Sequence, residues 1–144
     1  MKRVYLSLGS NIEPEKYIPA AIQLLKDNFK VLDVSSIYET DPVGPAGNLK
    51  FWNLAIALST DKEETLLPKI RSIESQLGRT RGENKFAPRT IDIDILPQPD
   101  YQKLAFIMIP LAEIAPKEKD PQTGKSFLEL ADKLREEAKS FRRI

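Results

Sequence analysis

Phe86-Ala87-Pro88-Arg89-Thr90-Ile91-Asp92-Ile93-Asp94-Ile95-Leu96 runs from a basic loop straight into a short alternating strand. On a strand, positions i and i+2 share a face, so Asp92 and Asp94 project to one side. Ile91, Ile93 and Ile95 project to the other, into a core. Two carboxylates about 7 Å apart at their Cα atoms on a rigid strand can converge on one or two hard cations. Arg89 stands just upstream, in reach of the oxygens of a metal-bound phosphate, and Pro88 restricts the backbone before it. One reading of this stretch is therefore magnesium-dependent phosphoryl chemistry. The other is a strand whose charged face simply meets water.

Working outward, the strand closes a longer pattern. Val4 to Leu8 reads as a buried strand ended by Gly9-Ser10-Asn11. Ala20, Ala21, Leu24 and Leu25 form a helical apolar stripe ending near Asp27-Asn28. Val31 to Tyr38 reads as a second strand with Val34, Ser36 and Tyr38 on one face, and Phe51 to Ser59 as a third. Between them, Glu39 to Lys50 holds two Pro-Gly-rich turns and reads as a loop. Glu63 to Leu77 is the clearest helix, with Leu66, Leu67, Ile70, Ile73 and Leu77 at helical spacing and Gly78 as its stop. Pro68 is compatible with it only near the first turn, which predicts a late start.

The order β-α-β-β-α-β predicts an α/β (α+β) ferredoxin-like sandwich, with helices packed on one face of an antiparallel sheet. Phe106 to Ala115 is apolar but contains Pro110, so it reads as strand or short helix. A C-terminal helix is predicted from Ser126, which has capping-box spacing to Glu129, burying Phe127, Leu128, Leu130, Ala131 and Leu134. No repeat or linker divides the chain, and residues 1–144 read as a single domain.

Composition narrows the chemistry. The net charge of +1 disfavours a general nucleic-acid binder, and the strands lack the paired exposed aromatics of an RNA-binding sheet. No apolar run approaches the ~20 residues that span a bilayer, and no signal-peptide h-region opens the chain, so a cytoplasmic protein without membrane contact is expected. The chain has neither cysteine nor histidine. Thiolate or imidazole zinc sites and Ser-His or Cys-His nucleophiles are therefore excluded within one chain. Carboxylates, Arg, Lys, hydroxyls, amides and an oxygen-held metal remain.

The loop from Gly78 to Arg89 carries Arg79, Arg81, Lys85 and Arg89 against the single carboxylate of Glu83. Such a loop can fold over a polyphosphate and neutralise developing charge, or it can be a solvated basic turn. There is no Walker-type Lys-Ser/Thr loop, so phosphate binding would rest on side chains and metal. Glu74 lies among the apolar residues of its helix, and Arg71, three residues earlier, offers it an ion pair. Asn53 sits between Trp52 and Leu54 on a strand, where it would satisfy backbone groups or read the edge of a heterocycle. Phe51 and Phe106 are core aromatics by default.

Taken together, Tyr5-Leu6-Ser7-Leu8-Gly9-Ser10-Asn11, Ser35 to Thr40, Phe51-Trp52-Asn53, Ile73-Glu74 with Gly78-Arg79, and Pro88-Arg89-Thr90-Ile91-Asp92-Ile93-Asp94 resemble the 6-hydroxymethyl-7,8-dihydropterin pyrophosphokinases of folate biosynthesis. The likeness resumes at Ile109 to Pro116. It implies a ferredoxin-like fold and transfer of the β,γ-pyrophosphoryl unit of ATP to the pterin hydroxymethyl group, releasing AMP. By motif, Asp92 and Asp94 would bind two Mg2+ ions, with ATP as co-substrate. Arg79 and Arg89 would join the two Asp residues as catalytic groups. Arg71, Glu74, Arg81, Phe86, Arg89 and Ile95 would stand on the ATP side. Thr40, Val43, Phe51, Asn53 and Phe106 would line the pterin pocket, the ring lying between the two Phe residues. The two small-molecule substrates would be the partners of a monomer.

Three positions depart from the family pattern. Phe86 replaces the usual Trp, and Arg71 the usual Gln. The segment from Leu96 to Phe106 is shortened, with Asp100 where a His is expected and Lys103 as its single cation. Each missing charge-assisted hydrogen bond of about 1.5–3 kcal/mol would weaken ATP binding by roughly one to two decades. Two readings follow: an active enzyme in which Lys85, Lys103 or Lys50 supplies the missing cations, and a weak or inactive relative that only binds pterin or nucleotide.

Overall fold

A computed structural model describes residues 1–40, 51–78 and 90–144. Strand β1 (Lys2–Ser10) leads into helix α1 (Pro14–Asn28), which has Pro14 in its first turn and buries Ile18, Ala21 and Leu25 at helical spacing. Strands β2 (Lys30–Val34), β3 (Tyr38–Thr40) and β4 (Phe51–Thr60) follow, then helix α2 (Leu66–Gln76) and strand β5 (Asp92–Leu96). Helices α3 (Ala105–Ile114) and α4 (Phe127–Lys133) and the short strand β6 (Arg142–Arg143) complete the described elements.

The sheet runs β5-β1-β4-β3-β6, with β2 also paired to β4, and every pairing is antiparallel. That is the expected β-α-β-β-α-β arrangement. One feature differs: helices cover both faces. Leu6, Leu8, Leu54, Ile56, Leu58, Ile91 and Ile93 pack against α1 and α2. On the opposite face, Ala55 and Leu96, with partly buried Tyr5, pack against α3 and α4. Strand β4 is accordingly buried on both sides from Asn53 to Leu58. Each fully buried Leu or Ile in these two cores contributes roughly 1.5–3 kcal/mol.

Local signals explain the elements and their departures from expectation. The stretch predicted as one strand from Val31 to Tyr38 is two, because the chain bulges out of register on β4 and Ser35 interrupts it. The Ser35 hydroxyl accepts the Ala55 N–H at 2.8 Å, replacing a ladder bond. Val34 is 37% exposed, not part of a buried stripe. Strand β1 continues through Gly9 and Ser10, which do not end it. The helix predicted from Glu63 opens as a 3-10 turn over Glu63–Thr65, and α2 proper begins at Leu66. Pro68 thus falls in the first turn, where its missing N–H has no helical acceptor.

Gly78 follows α2 at φ 82°, a left-handed conformation suited to glycine. Phe106 to Ala115 resolves as helix α3, not strand. The Ser126–Glu129 capping box is present in full. Leu128, expected to be buried, is 42% exposed, because α4 turns that side away from α3.

Candidate active site

Asp92 and Asp94 stand half-buried on β5, the edge strand, with Gly9 opposite Asp92 and Ser7 opposite Asp94. Paired positions in an antiparallel ladder share a face. Gly9 also pairs with Asn53, and Asn53 with Tyr38, so Asp92, Gly9, Asn53 and Tyr38 form one transverse row. The carboxylate and the amide are two strand spacings apart, about 10 Å. Between them lies a residue with no side chain. A Cβ on Gly9 would stand 2.9 Å from Asn53 Oδ1 and 3.8 Å from Phe51 Cδ1, so only glycine admits the amide there.

Asn53 is 4% exposed, and its Nδ2 donates to the Thr40 hydroxyl at 2.6 Å. Thr40 is itself buried and pairs with Phe51 across β3 and β4. Phe51 and Phe106, core aromatics by default, are both only partly buried. Phe106 sits in the first turn of α3, on the same face of the sheet, packed against the second core. Among the described residues, the ring pairs are Tyr5–Phe127 and Tyr101–Phe127, so the two Phe rings do not stack on each other.

Glu74 is 1% exposed and accepts the backbone N–H of Ile93 at 2.9 Å. That N–H lies on the outer edge of the sheet, between the two Asp residues. Glu74 therefore pins the strand that carries them from the opposite face. Arg71, on the same helix, is exposed. Ile95 packs against the first core, on the opposite side of β5 from the carboxylates. Val43, Lys50, Arg79, Arg81, Lys85, Phe86 and Arg89 lie outside the described residues.

The donor set suits a hard cation that keeps open positions. Among the described residues no cluster of three or more ligating side chains exists. Two carboxylates on one strand are what Mg2+ uses when substrate phosphates and water complete its octahedron.

The shortened segment is tied down. Tyr101 is buried and donates to Asp120 Oδ1 at 2.7 Å, while Thr123 N–H and Oγ1 donate to Oδ2 at 2.9 and 2.7 Å. Burial of Asp120 opposes its ionisation, but these donors outweigh it and hold the carboxyl below its ordinary range. The Tyr101 phenol is pushed up by burial and by the adjacent carboxylate. Lys103 lies 3.5 Å from Asp100, both side chains well exposed.

Sequence reasoning passed over two features. Gly9, expected to end its strand, faces Asn53 across the ladder, a pairing that no local pattern marks. The second is Glu113 on α3, which accepts from Ser36 N–H at 2.8 Å, Ser36 Oγ at 3.0 Å and Tyr38 OH at 2.6 Å. No local pattern marks it, since its partners are some 75 residues away in sequence.

Comparison with known proteins bears on this site. The profile of the 7,8-dihydro-6-hydroxymethylpterin-pyrophosphokinase (HPPK) family matches residues 5–116. A 2-amino-4-hydroxy-6-hydroxymethyldihydropteridine pyrophosphokinase of Bacillus subtilis is 41% identical over 128 residues, covering 76% of this chain and 76% of the relative. The enzyme of that name from Pseudomonas aeruginosa is 36% identical over 134 residues, covering 81% and 82%. The Bacillus alignment is longer than the share of this chain it takes in, so the relative has residues that this chain lacks within the matched span.

Solved HPPK-DHPS structures share the fold. Plasmodium falciparum HPPK-DHPS with pterin and p-hydroxybenzoate superposes at a TM-score of 0.78 with 15% identity, over 99% of this chain and 46% of that one. An HPPK-DHPS in complex with substrates gives 0.79 with 13% identity, over 99% and 48%. This chain thus spans just under half of those proteins. By the profile and these relatives, the chain belongs to the 7,8-dihydro-6-hydroxymethylpterin-pyrophosphokinase family.

Proposed function

We propose that this chain transfers the β,γ-pyrophosphoryl unit of ATP to 6-hydroxymethyl-7,8-dihydropterin, giving the pterin diphosphate and AMP. The observation that carries this reading is the transverse row of carboxylate, bare glycine and buried amide. Asn53, oriented by Thr40, reads the polar edge of the pterin, and Phe51 and Phe106 hold the ring between them. Val43 completes the pocket. Gly9 leaves the path clear from the pterin towards the carboxylates. The hydroxymethyl oxygen bonds to the β-phosphorus as the bond between the α,β-bridging oxygen and that phosphorus breaks, AMP leaves, and the hydroxyl proton passes to solvent.

Asp92 and Asp94 would hold two Mg2+ ions, which would supply neutralising charge for the polyphosphate. Arg79, Arg81 and Arg89 add charge-assisted hydrogen bonds to the phosphates, while Arg71, Phe86 and Ile95 belong to the ATP side. Glu74 acts there through the strand it fixes. A cytoplasmic monomer is part of the proposal, and a chain with no cysteine fits a reducing compartment.

A second reading, a relative that binds pterin or nucleotide with little turnover, draws on one observation. The single cation of the shortened segment, Lys103, faces Asp100. An Asp94→Ala variant separates the two readings. Under the first it loses turnover by at least ~100-fold while pterin affinity is nearly unchanged. Under the second the parent chain already has little or no turnover to lose.

A further inference from the structure

The transverse row does not stop at Tyr38. Strand β6 pairs with β3 so that Arg143 lies opposite Tyr38 and Arg142 opposite Glu39. Ile144 N–H donates to the Ile37 carbonyl at 2.8 Å, extending the ladder by one bond. Arg143 meets Tyr38 in two ways. Its Nη2 donates to the phenol oxygen at 3.2 Å, and its guanidinium lies 5.7 Å from the ring centroid. The same guanidinium is 3.5 Å from Glu113 Oε1, which accepts the Tyr38 hydroxyl at 2.6 Å. Arg143, Tyr38 and Glu113 therefore close a triangle joining β6, β3 and α3.

Strand β3 is only three residues long and carries Thr40, whose hydroxyl orients Asn53. A strand this short gains little from its own ladder, so its position depends on what grips it from outside. On one side it has β4; on the other it has β6. The α3 helix gripped by the same triangle also carries Phe106, about two turns back from Glu113.

We propose that Arg143 is a positioning residue for the pterin pocket: acting through Tyr38 and Glu113, it holds Thr40 on β3 and Phe106 on α3 in the spacing that the pterin needs. The inference rests on the proposed function, because it takes Thr40, Asn53 and Phe106 as the pterin-binding side. Arg143 touches no substrate. Its effect falls on the pterin and not on the nucleotide, since the nucleotide-side carboxylates lie at the opposite edge of the sheet.

The test measures two affinities on the whole chain: fluorescence titration with 6-hydroxymethylpterin, and titration with a fluorescent ATP analogue plus magnesium. Arg143→Ala is expected to weaken pterin binding about three- to tenfold, the range of an exposed but networked charged contact. Nucleotide affinity is expected to be unchanged. Arg143→Lys keeps the charge facing Glu113 but not the fork, and restores part of the loss. Tyr38→Phe removes the shared hydroxyl, and adding Arg143→Ala to it should cost less than Arg143→Ala alone.

Unchanged pterin affinity in Arg143→Ala overturns the inference, as does an equal weakening of both ligands, which marks general loosening. Full additivity of the two variants overturns the linkage through Tyr38. A parent chain that binds no pterin overturns the functional reading, and the inference with it. A parent that binds pterin while Arg143→Ala binds it equally well overturns the inference alone.

Discussion

Glu74 accepts the Ile93 backbone N–H from the far side of the sheet, midway between the two carboxylates that project from the near side. An edge strand has one row of donors without a ladder partner. Here a buried carboxylate takes one of them, and in doing so fixes the segment that holds Asp92 and Asp94. The Arg71 ion pair is therefore not needed to account for Glu74. Its place in the middle of an apolar helix face follows from the strand it anchors.

Glu74→Ala leaves the Ile93 N–H buried without this acceptor and opens a void. Urea unfolding should show a loss of about 2–4 kcal/mol, from the lost hydrogen bond and the cavity together. Glu74→Gln keeps an acceptor of similar shape and should lose less than half as much. If both variants are as stable as the parent, the hydrogen bond does not anchor the strand.

Gly9→Ala brings a methyl group to 2.9 Å from Asn53 Oδ1. The amide must shift away from Gly9, which disturbs its hydrogen bond to Thr40, and such overpacking costs roughly 1–3 kcal/mol. Pterin affinity should fall by about tenfold or more, since under the proposed function the displaced group reads the ring. The check is fluorescence titration beside a thermal melt. Undiminished pterin affinity would show that Asn53 is not the reader.

Tyr101→Phe takes one donor from buried Asp120. The deficit at neutral pH should be about 1–3 kcal/mol. Its pH dependence has a definite sign. Asp120 titrates below its ordinary value of 3.8 in the folded chain, so its contribution is present above that value and is lost as pH falls through the lower folded one. Losing Tyr101 raises the folded value towards the ordinary one. The gap between variant and parent is therefore widest near neutrality and narrows below about pH 4. Denaturant melts at neutral and acid pH measure it. A gap that is constant or grows in acid would contradict the assignment.

The elements that were legible in the sequence are those whose burial is one-sided. Helix α2 buries one stripe, and strand β5 alternates buried Ile93 with half-buried Asp92 and Asp94, so periodicity marks both. Helix α3 was ambiguous because Pro110 interrupts its apolar run, and burial nearly all round, between the sheet and α4, leaves no stripe to decide it. The break between β2 and β3 was hidden because a serine side chain does the work of a backbone group. Strand β6 is two exposed arginines, which read as a polar tail until their partners are seen.

At the site, the paired Asp residues were readable from strand alternation alone. Glu74 as an edge acceptor, Gly9 as the open floor and Glu113 as the clasp on Tyr38 were not. Each depends on residues brought together from distant parts of the chain. Sequence spacing reports the face on which a side chain lies, but not what the fold sets against it.

The most direct test of the whole account follows the products formed from ATP, magnesium and 6-hydroxymethyl-7,8-dihydropterin. The account predicts one AMP released per pterin consumed, no ADP, and loss of both changes when a chelator removes the magnesium. No AMP above background while pterin still binds, or ADP as the nucleotide product, would contradict it.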